Sequence, residues 1–337
     1  MGRVAYIIRC ALRMDYKNLF RTVGEAHKIS GKNRLWLLID IVNCGFRYGA
    51  GHMDYLLCAF YDKTPAQRAT FVTRGINNTV TGMLNDSAYY ETFDDKEKFY
   101  TAFAPYLHRD WLPLESASEE ALNAFLEAHE SFILKPRGAA CGAGVEKRNR
   151  KDFPTVQALR EYGKEAGVDL IEELVIQHPD MDRMASGSVN TVRVMTVLTE
   201  GQPHILYASL RIGNSDRPVD NINAGGMFAP VDTETGVLTC EAIDKDSKVY
   251  KSHPKTGCTI RGFQIPCWQE VKEMCLEAAR VVPQMGYVGW DVAVTDDGPL
   301  LIEGNNMPGH DILPQMPVHT PDNLGYLPVY RKYIKNL

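Results

Sequence analysis

The stretch that most constrains the fold is residues 286–309, GYVGWDVAVTDDGPLLIEGNNMPG, near the end of the sequence. Two apolar runs, 291–295 and 299–303, flank Asp296-Asp297-Gly298, an order of residues typical of two antiparallel strands joined by a tight turn. If the turn is centred on Asp297, residues whose numbers sum to 594 (twice 297) face each other, so Asp291 faces Glu303. Opposed residues, and residues two apart on one strand, share a face of the sheet. The hairpin therefore brings Asp291, Glu303 and Asn305 together.

Two carboxylates and an amide oxygen at one end of a rigid hairpin form a set of oxygen ligands that suits a hard cation such as Mg²⁺. The alternative is that Asp291 and Glu303 are solvated strand ends. The run 300–302, Leu-Leu-Ile, is too apolar for a surface strand, which favours the metal site. Gly304, with the proline and glycine that follow it, predicts a turn just beyond the hairpin.

Composition and charge exclude several classes of protein. A net charge of −5 over 337 residues lacks the basic balance of a nucleic-acid-binding protein. The apolar run 35–46 is too short to span a bilayer and contains Asp40 and Asn43, so it predicts a buried helix. The first residues lack the apolar core and cleavage site of a secretory signal. We expect a cytoplasmic protein that binds no nucleic acid and does not insert into a membrane; its oligomeric state stays open.

Residues 132–145, FILKPRGAACGAGV, predict a strand that ends at Lys135 and runs into a loop of glycine and alanine. Small residues let backbone N–H groups approach anionic oxygens closely, and a lysine supplies a point charge. Because the lysine precedes the glycines, the segment is not a Walker A loop, nor is it a G-x-G-x-x-G motif. A plain hairpin is the alternative interpretation.

Residues 168–175, VDLIEELV, predict a strand that carries Glu172 and Glu173. Adjacent side chains on a strand point to opposite faces, so at least one of these acids points away from solvent unless the strand is at an edge. Such an acid needs a hydrogen-bonding partner, for example the amino group of an adenine.

Apolar runs at 191–198, 204–212 and 227–231 join the hairpin to predict an antiparallel sheet, covered by an amphipathic helix over residues 268–282. Arg193 and Arg211 lie inside two of these runs. An unpaired guanidinium is costly there, so each should face an anion. The anion is either a phosphate or a nearby acid in a structural salt bridge.

In this order the motifs resemble the ATP-grasp superfamily, and in particular the group of sugar-transfer-associated ATP-grasp proteins. The resemblance covers about residues 90–310. The chain is also similar in part to the ligases that add glutamate to ribosomal protein S6. It implies an α+β ATP-grasp fold, with two α+β subdomains that clasp ATP after a mainly helical N-terminal region. The implied boundaries are residues 1–91 for the helical region, 92–176 for the small subdomain with its lid loop, and 177–337 for the large subdomain with the metal hairpin.

Within residues 47–55, RYGAGHMDY, the part 48–55 also looks like the narrower group. Their glycine and aromatic content is compatible with a loop pressed on a ligand, but a packed turn between two helices is the favoured interpretation. We assign this region no chemistry.

The resemblance implies a role for individual residues. The implied nucleotide-binding residues are Lys96 and Lys135 on the phosphates, Gly138, Gly142 and Gly144 in the lid loop, Glu172, Glu173, Leu174 and Val175 around the adenine, and Asn221, Gly225 and Gly226. The implied ligands of two Mg²⁺ ions, for which Mn²⁺ can substitute, are Asp291, Glu303 and Asn305. Arg211, Arg193 and Asn305 are the implied catalytic residues. Some relatives carry an arginine two residues before the metal aspartate, where this chain has Gly289, so an upstream arginine would take that role.

The chemistry implied by the resemblance is that of a carboxylate–amine ligase, which activates a small-molecule acid as an acyl phosphate and joins it to an amine. Phosphoryl transfer needs positioning and charge neutralisation more than a protein nucleophile, and the residues found here suit it. A kinase acting on a small-molecule hydroxyl and a non-catalytic nucleotide-binding protein are the alternatives. The sequence does not identify the acid or the amine; cell-envelope polysaccharide or small-molecule biosynthesis is the expected setting.

Overall fold

The computed structural model describes residues 15–138, 144–214, 225–310 and 312–337. The chain divides into two compact units, one formed by Met1–Val80 with Pro314–Leu337 and the other by Thr81–Leu313. The boundaries expected after residues 91 and 176 separate subdomains and do not coincide with this division, in which residues 314–337 group with the N-terminal region.

The first unit is helical, in agreement with the sequence. Its elements are the helices Tyr16–Ser30, Arg34–Tyr48, His52–Leu57, Pro65–Arg68 and Leu327–Tyr333, a 3₁₀ turn at Phe60–Asp62, and the first part of the helix Arg74–Leu84. Its core includes Leu19, Leu37 and Tyr55. Arg68 binds both carboxylate oxygens of Asp40 at 2.7 and 2.8 Å, and this pair is largely shielded from solvent.

The helix Arg34–Tyr48 corrects one expectation. The sequence predicted a buried helix at residues 35–46, and a helix forms there, but only the face with Leu37 and Ile41 is buried. Leu35 and Ile39 on another face are 65% and 64% exposed. Across the described ranges, no helix combines the length and the apolar character that crossing a bilayer requires.

The segment 47–55 is the packed turn that the sequence favoured. Gly49 ends the helix Arg34–Tyr48 with a φ of 65° and approaches the helix Arg74–Leu84, whose Gly75 N–H donates to the Gly49 carbonyl at 2.9 Å. The Asp54 carboxylate accepts from the backbone N–H of Gly51 at 2.6 Å and of Arg74 at 3.0 Å. Asp54 therefore fixes the start of two helices, His52–Leu57 and Arg74–Leu84.

Replacing Gly75 by alanine is expected to lower the free energy of unfolding by about 1–3 kcal/mol, because the added methyl group overpacks the contact. Its Cβ would lie 2.8 Å from the Gly49 oxygen and 2.9 Å from its Cα, both backbone atoms that cannot rotate away. Gly24→Ala is the matched control, since a Cβ there meets nothing within 4 Å inside a helix of the same unit. This control should raise stability by about 0.5–1 kcal/mol through helix propensity. Urea denaturation measures both; equal stability of the two variants would refute the close-packing argument.

The second unit contains two antiparallel sheets, which confirms the α+β class. The four-stranded sheet has the order β1-β4-β2-β3, where β1 is Trp111–Pro113, β2 is Ser131–Lys135, β3 is Glu146–Asn149 and β4 is Leu170–Glu173. The helices Glu119–Ala128 and Val156–Ala166 share a core with these strands. The short helices Glu91–Asp94 and Lys96–Ala102 precede the sheet.

The larger sheet has the order β11-β10-β5-β6-β7-β8-β9. Its strands are β5 (Val192–Thr199), β6 (Gln202–Ile212), β7 (Met227–Val231), β8 (Ala242–Asp244), β9 (Val249–Tyr250), β10 (Tyr287–Thr295) and β11 (Gly298–Asn305). The helix Trp268–Ala278 buries Val271 and Cys275 in the same core cluster as these strands, as the sequence predicted. The helix Pro179–Met184 leads into β5.

Candidate functional site

The hairpin of β10 and β11 sets Asp291 opposite Glu303, as the sequence predicted, but by a different route. The turn has two residues rather than three, because Thr295 faces Gly298, so the prediction of a turn centred on Asp297 is wrong. A β-bulge then restores the expected pairing: Val292 faces Leu301, Asp291 faces Glu303, and Ile302 is the extra residue. The bulge thus determines that the two acids oppose each other.

Asn305 lies two residues beyond Glu303 on the same face, and its side-chain amide donates to the Gly289 carbonyl at 3.2 Å. Gly304, which the sequence placed in a turn, lies within β11 instead. A Cβ at Gly304 would come within 2.9 Å of Phe99 and of Trp290. The glycine is needed because aromatic rings pack directly against this strand.

Asp291 is 2% exposed, and two arginines bind its carboxylate. Arg193 donates from Nε at 2.5 Å and from Nη2 at 2.9 Å, and Arg211 donates from Nη1 at 2.6 Å. Burial raises the pKa of Asp291, but the charges of Arg193 and Arg211 outweigh it and hold the pKa well below its usual range. Of the two anions that the sequence left open for these arginines, the one in the structure is a nearby acid.

Glu303 has the opposite electrostatic environment. Burial and the neighbouring charge of Asp291 raise the pKa of Glu303, although Arg211 and Arg193 oppose the shift. The candidate ligand atoms of Asp291, Glu303 and Asn305 are all oxygens of carboxyl and amide groups, the type of ligand that Mg²⁺ prefers. The residues present therefore fit a hard divalent cation.

Gly289 makes room for Arg193. A Cβ at Gly289 would lie 3.2 Å from the Arg193 Cδ, so the arginine side chain passes through the space beside this glycine on its way to Asp291. Arg193 also sits directly opposite Asp291 on the neighbouring strand β5. Arg193 thus reaches Asp291 across the space that an arginine side chain at position 289 would otherwise occupy.

A second buried network surrounds Glu172 on β4. Its carboxylate accepts from the Tyr100 hydroxyl at 2.5 Å, from Arg109 Nε at 3.2 Å and from Lys135 Nζ at 2.7 Å. Burial raises the pKa of Glu172, but Lys135 and Arg109 outweigh it and lower the pKa to about 2. The partner that the buried acid needs is therefore supplied by the protein itself, while the Glu173 carboxylate accepts from the Asp110 N–H at 3.0 Å.

Sequence reasoning missed Arg109, which links the two sheets. Besides Glu172, its guanidinium donates to the Leu301 carbonyl at 2.5 Å and to the Ile302 carbonyl at 3.4 Å, at the bulge of β11. Its side chain is 2% exposed and lies 5.1 Å from the centre of the Tyr100 ring. The only sequence signal is indirect: a buried acidic strand requires a cation, but nothing in the pattern says which one.

Lys96 begins the helix Lys96–Ala102, for which Asp95 is the N-cap. Its Nζ donates to the Arg137 carbonyl at 3.4 Å. Burial lowers the pKa of Lys96, the charge of Glu303 raises it, and that of Lys135 lowers it. The charges of Lys135, the other predicted phosphate lysine, and of Glu303, a predicted metal ligand, thus both act on Lys96.

The glycine loops are described only in part. Gly142 and Asn221 lie outside the described residues. Gly144 has a φ of 70°, and a Cβ there would lie 2.7 Å from the Pro136 ring, so Gly144 lies close to the residue that follows β2. Gly225 has a φ of 99°. The other predicted positions are Gly138, which is exposed, Leu174 and Val175, which are half-buried, and Gly226, which is buried.

Two antiparallel sheets, a glycine loop that follows a strand lysine, and a hairpin with opposed acids are the architecture of an ATP-grasp protein. Residues 76–320 match the profile of the family described as sugar-transfer associated ATP-grasp. The match covers well over half of the chain, and the protein belongs to this family.

Solved structures that are similar to the chain include the ATP-grasp ligase PsnB complexed with a minimal precursor. The sequence identity is 15%, the alignment covers 73% of this chain and 63% of that chain, and the TM-score is 0.42. D-alanyl-alanine synthetase A from Vibrio cholerae has 14% identity, coverages of 74% and 66%, and a TM-score of 0.41. D-alanine–D-alanine ligase from Bacillus anthracis has 13% identity, coverages of 77% and 73%, and a TM-score of 0.43. The chain thus spans less than two thirds of the PsnB chain. No curated protein matches it.

Proposed function

We propose that the protein is an ATP-dependent, ADP-forming ligase that activates a carboxylate as an acyl phosphate and joins it to an amine. The observation that carries the proposal is the buried carboxylate of Asp291 directly opposite the half-buried carboxylate of Glu303, with Lys96 in the field of both Glu303 and Lys135. Opposed carboxylates for a divalent ion and lysines for phosphates are the groups that phosphoryl transfer from ATP requires.

The residues divide into three tasks. Lys96 and Lys135 bind ATP phosphates, and the buried carboxylate of Glu172 orients the Lys135 ammonium. Asp291, Glu303 and Asn305 hold Mg²⁺, which when bound neutralises charge on the transferring phosphoryl group.

The third task, contact with the transferring phosphate, falls to an arginine. Arg193 is bonded to Asp291 through two nitrogens and is 8% exposed, so we assign it to positioning that aspartate. Arg211 has the more exposed side chain of the two, at 14%, so it is the better candidate to reach the phosphate.

The test is ADP release from Mg·ATP with pools of amino acids, hydroxy acids and amino sugars. Glu303→Gln should reduce ADP formation at least about 100-fold, because it removes one metal-binding charge where the transition state is stabilised. Asp297→Asn, on the exposed turn of the same hairpin, is the control and should leave the rate unchanged. Full activity in Glu303→Gln would refute the metal assignment.

Hydroxylamine separates the ligase from its alternatives. An acyl phosphate transfers its acyl group to hydroxylamine and gives a hydroxamate with release of phosphate, so the expected product is a hydroxamate that depends on ATP and on the acid. A stable phosphorylated hydroxyl compound would instead identify a kinase. Binding of ATP with no ADP formed from any pool would identify a non-catalytic nucleotide-binding protein.

A further inference from the structure

The helix Arg34–Tyr48, RLWLLIDIVNCGFRY, is apolar on two opposite faces. One face packs Leu37 and Ile41 into the core of the N-terminal unit. The other carries Leu35, Ile39, Val42 and Phe46, which we call the outer stripe; their spacing of four, three and four residues places them on one side of a helix. A surface helix of a globular protein needs only the first face, so the outer stripe requires a different explanation.

Three of the four side chains of the outer stripe are open to solvent, while Val42 is half-buried and packs against the core of the same unit. Leu35 is 65% exposed, Ile39 is 64% exposed and Phe46 is 45% exposed. Trp36, next to the stripe, is 44% exposed, and the Lys32 ammonium lies 5.2 Å from the centre of its ring. Aligned apolar side chains exposed in this way mark an interaction surface rather than scattered surface residues.

The charges on this helix have one sign where they meet solvent. Arg34 and Arg47 are exposed at its two ends. The single acid, Asp40, is 11% exposed, and Arg68 occupies both of its oxygens. The sequence has the same asymmetry on a larger scale: residues 1–47 contain nine basic and three acidic residues, a net charge of +6, whereas the whole chain carries −5. The outer stripe and the arginines at the two ends of its helix are therefore complementary to an apolar phase bordered by negative charge.

A second copy of the chain fits this surface poorly. Two outer stripes packed antiparallel about a two-fold axis would pair Leu35 with Phe46 and Ile39 with Val42. The same register would place Arg34 of one copy beside Arg47 of the other, with no exposed acid on either helix to offset the repulsion. An anionic lipid surface satisfies both features, because apolar side chains enter the acyl boundary while arginines reach lipid phosphates.

We propose that the outer stripe is a docking site for an anionic lipid surface. The helix lies in the interfacial plane with Leu35, Ile39 and Phe46 directed into the boundary of the acyl chains, and Arg34 and Arg47 bound to headgroup phosphates. The contact is peripheral and does not depend on the proposed ligase activity.

The test is flotation of the full chain with vesicles of phosphatidylcholine alone, or with about three-tenths phosphatidylglycerol. Binding should require phosphatidylglycerol and fall as salt rises, because exposed charges are screened. Equal flotation with both vesicles, or none with either, would overturn the proposal. So would light scattering that shows a dimer which Ile39→Ser converts to a monomer, since the stripe would then pair with a second copy.

Variants locate the contact. Ile39→Ser with Phe46→Ser should weaken binding at least about tenfold through lost apolar burial, and Arg34→Gln or Arg47→Gln about fivefold each. Val249→Ser with Val281→Ser removes two apolar side chains that are 47% and 38% exposed in the other unit, and should change nothing. Circular dichroism and unchanged thermal unfolding establish that each variant is folded. Stripe variants that bind like the wild type would overturn the proposal.

Discussion

Replacing Asp291 by asparagine should lower the free energy of unfolding by about 3–5 kcal/mol, the cost of breaking a buried ion pair by removing one partner. Asp291 is 2% exposed and supplies the negative charge that Arg193 and Arg211 share across bonds of 2.5 to 2.9 Å. Asparagine has the same size but no charge, so the two guanidinium groups remain desolvated without it. Urea denaturation followed by tryptophan fluorescence measures the change, since Trp290 adjoins the site.

Asp297→Asn is the matched control, because it makes the same chemical change at the exposed turn of the same hairpin. Its effect should stay within about 0.5 kcal/mol, as is usual for surface substitutions. Equal stability of the two variants would contradict the conclusion that Asp291 is the counter-ion of Arg193 and Arg211.

Replacing Arg109 by methionine should lower the free energy of unfolding by about 3 kcal/mol, at the lower end of the range for a broken buried pair because Lys135 still neutralises Glu172. The substitution also removes the donor that binds the Leu301 and Ile302 carbonyls at the bulge of β11. The affinity for Mg·ATP should fall as well, since this bulge sets Glu303 opposite Asp291. Thermal unfolding and nucleotide titration measure the two effects separately.

Arg148→Met is a close control, because Arg148 lies on β3 of the small sheet whose strand β4 carries Glu172. Arg148, like Arg109, lies 5.1 Å from the centre of a tyrosine ring and pairs with a glutamate. It differs in exposure, with 35% of its side chain accessible against 2% for Arg109. An exposed pair contributes at most about 1 kcal/mol, so a loss as large as that of Arg109→Met would show that burial is not the cause.

The local pattern of the sequence predicted the elements of the site but not all of their partners. Asp291 and Glu303 were placed opposite each other by counting from an assumed three-residue turn. The structure reaches the same pairing with a two-residue turn and one extra residue, Ile302. Shortening the turn by one residue and adding one residue to the strand shift the register by equal and opposite amounts. Alternation of residue types therefore does not distinguish a three-residue turn without a bulge from a two-residue turn with one.

Long-range polar partners explain the remaining differences. Burial of Arg193 and Arg211 in apolar strands required an anion, but Asp291 lies 98 and 80 residues away from them along the chain. Glu172 required a partner for the same reason, and Arg109 lies 63 residues before it in a segment without periodicity. Desolvation predicts that a partner exists, whereas only the folded topology identifies it.

The helix Arg34–Tyr48 shows a different limit. Its apolar content correctly indicated a helix, but composition does not show how many of its faces the protein itself covers. Leu37 and Leu35 are equally apolar, yet one is fully buried and the other is 65% exposed. The roles of the nucleotide-binding residues remain predictions in the same sense, because they depend on what the protein binds.

The extra residue in β11 has a consequence for finding related hairpins. Asp291 and Glu303 are twelve positions apart. Deleting Ile302 would remove the bulge and straighten the strand. Because the two-residue turn sets the pairing of the strands, the same two acids would still be opposed, now eleven positions apart. A motif search that fixes the interval at twelve would therefore overlook chains with an equivalent ion site, and one that tolerates a single gap before the glutamate would recover them.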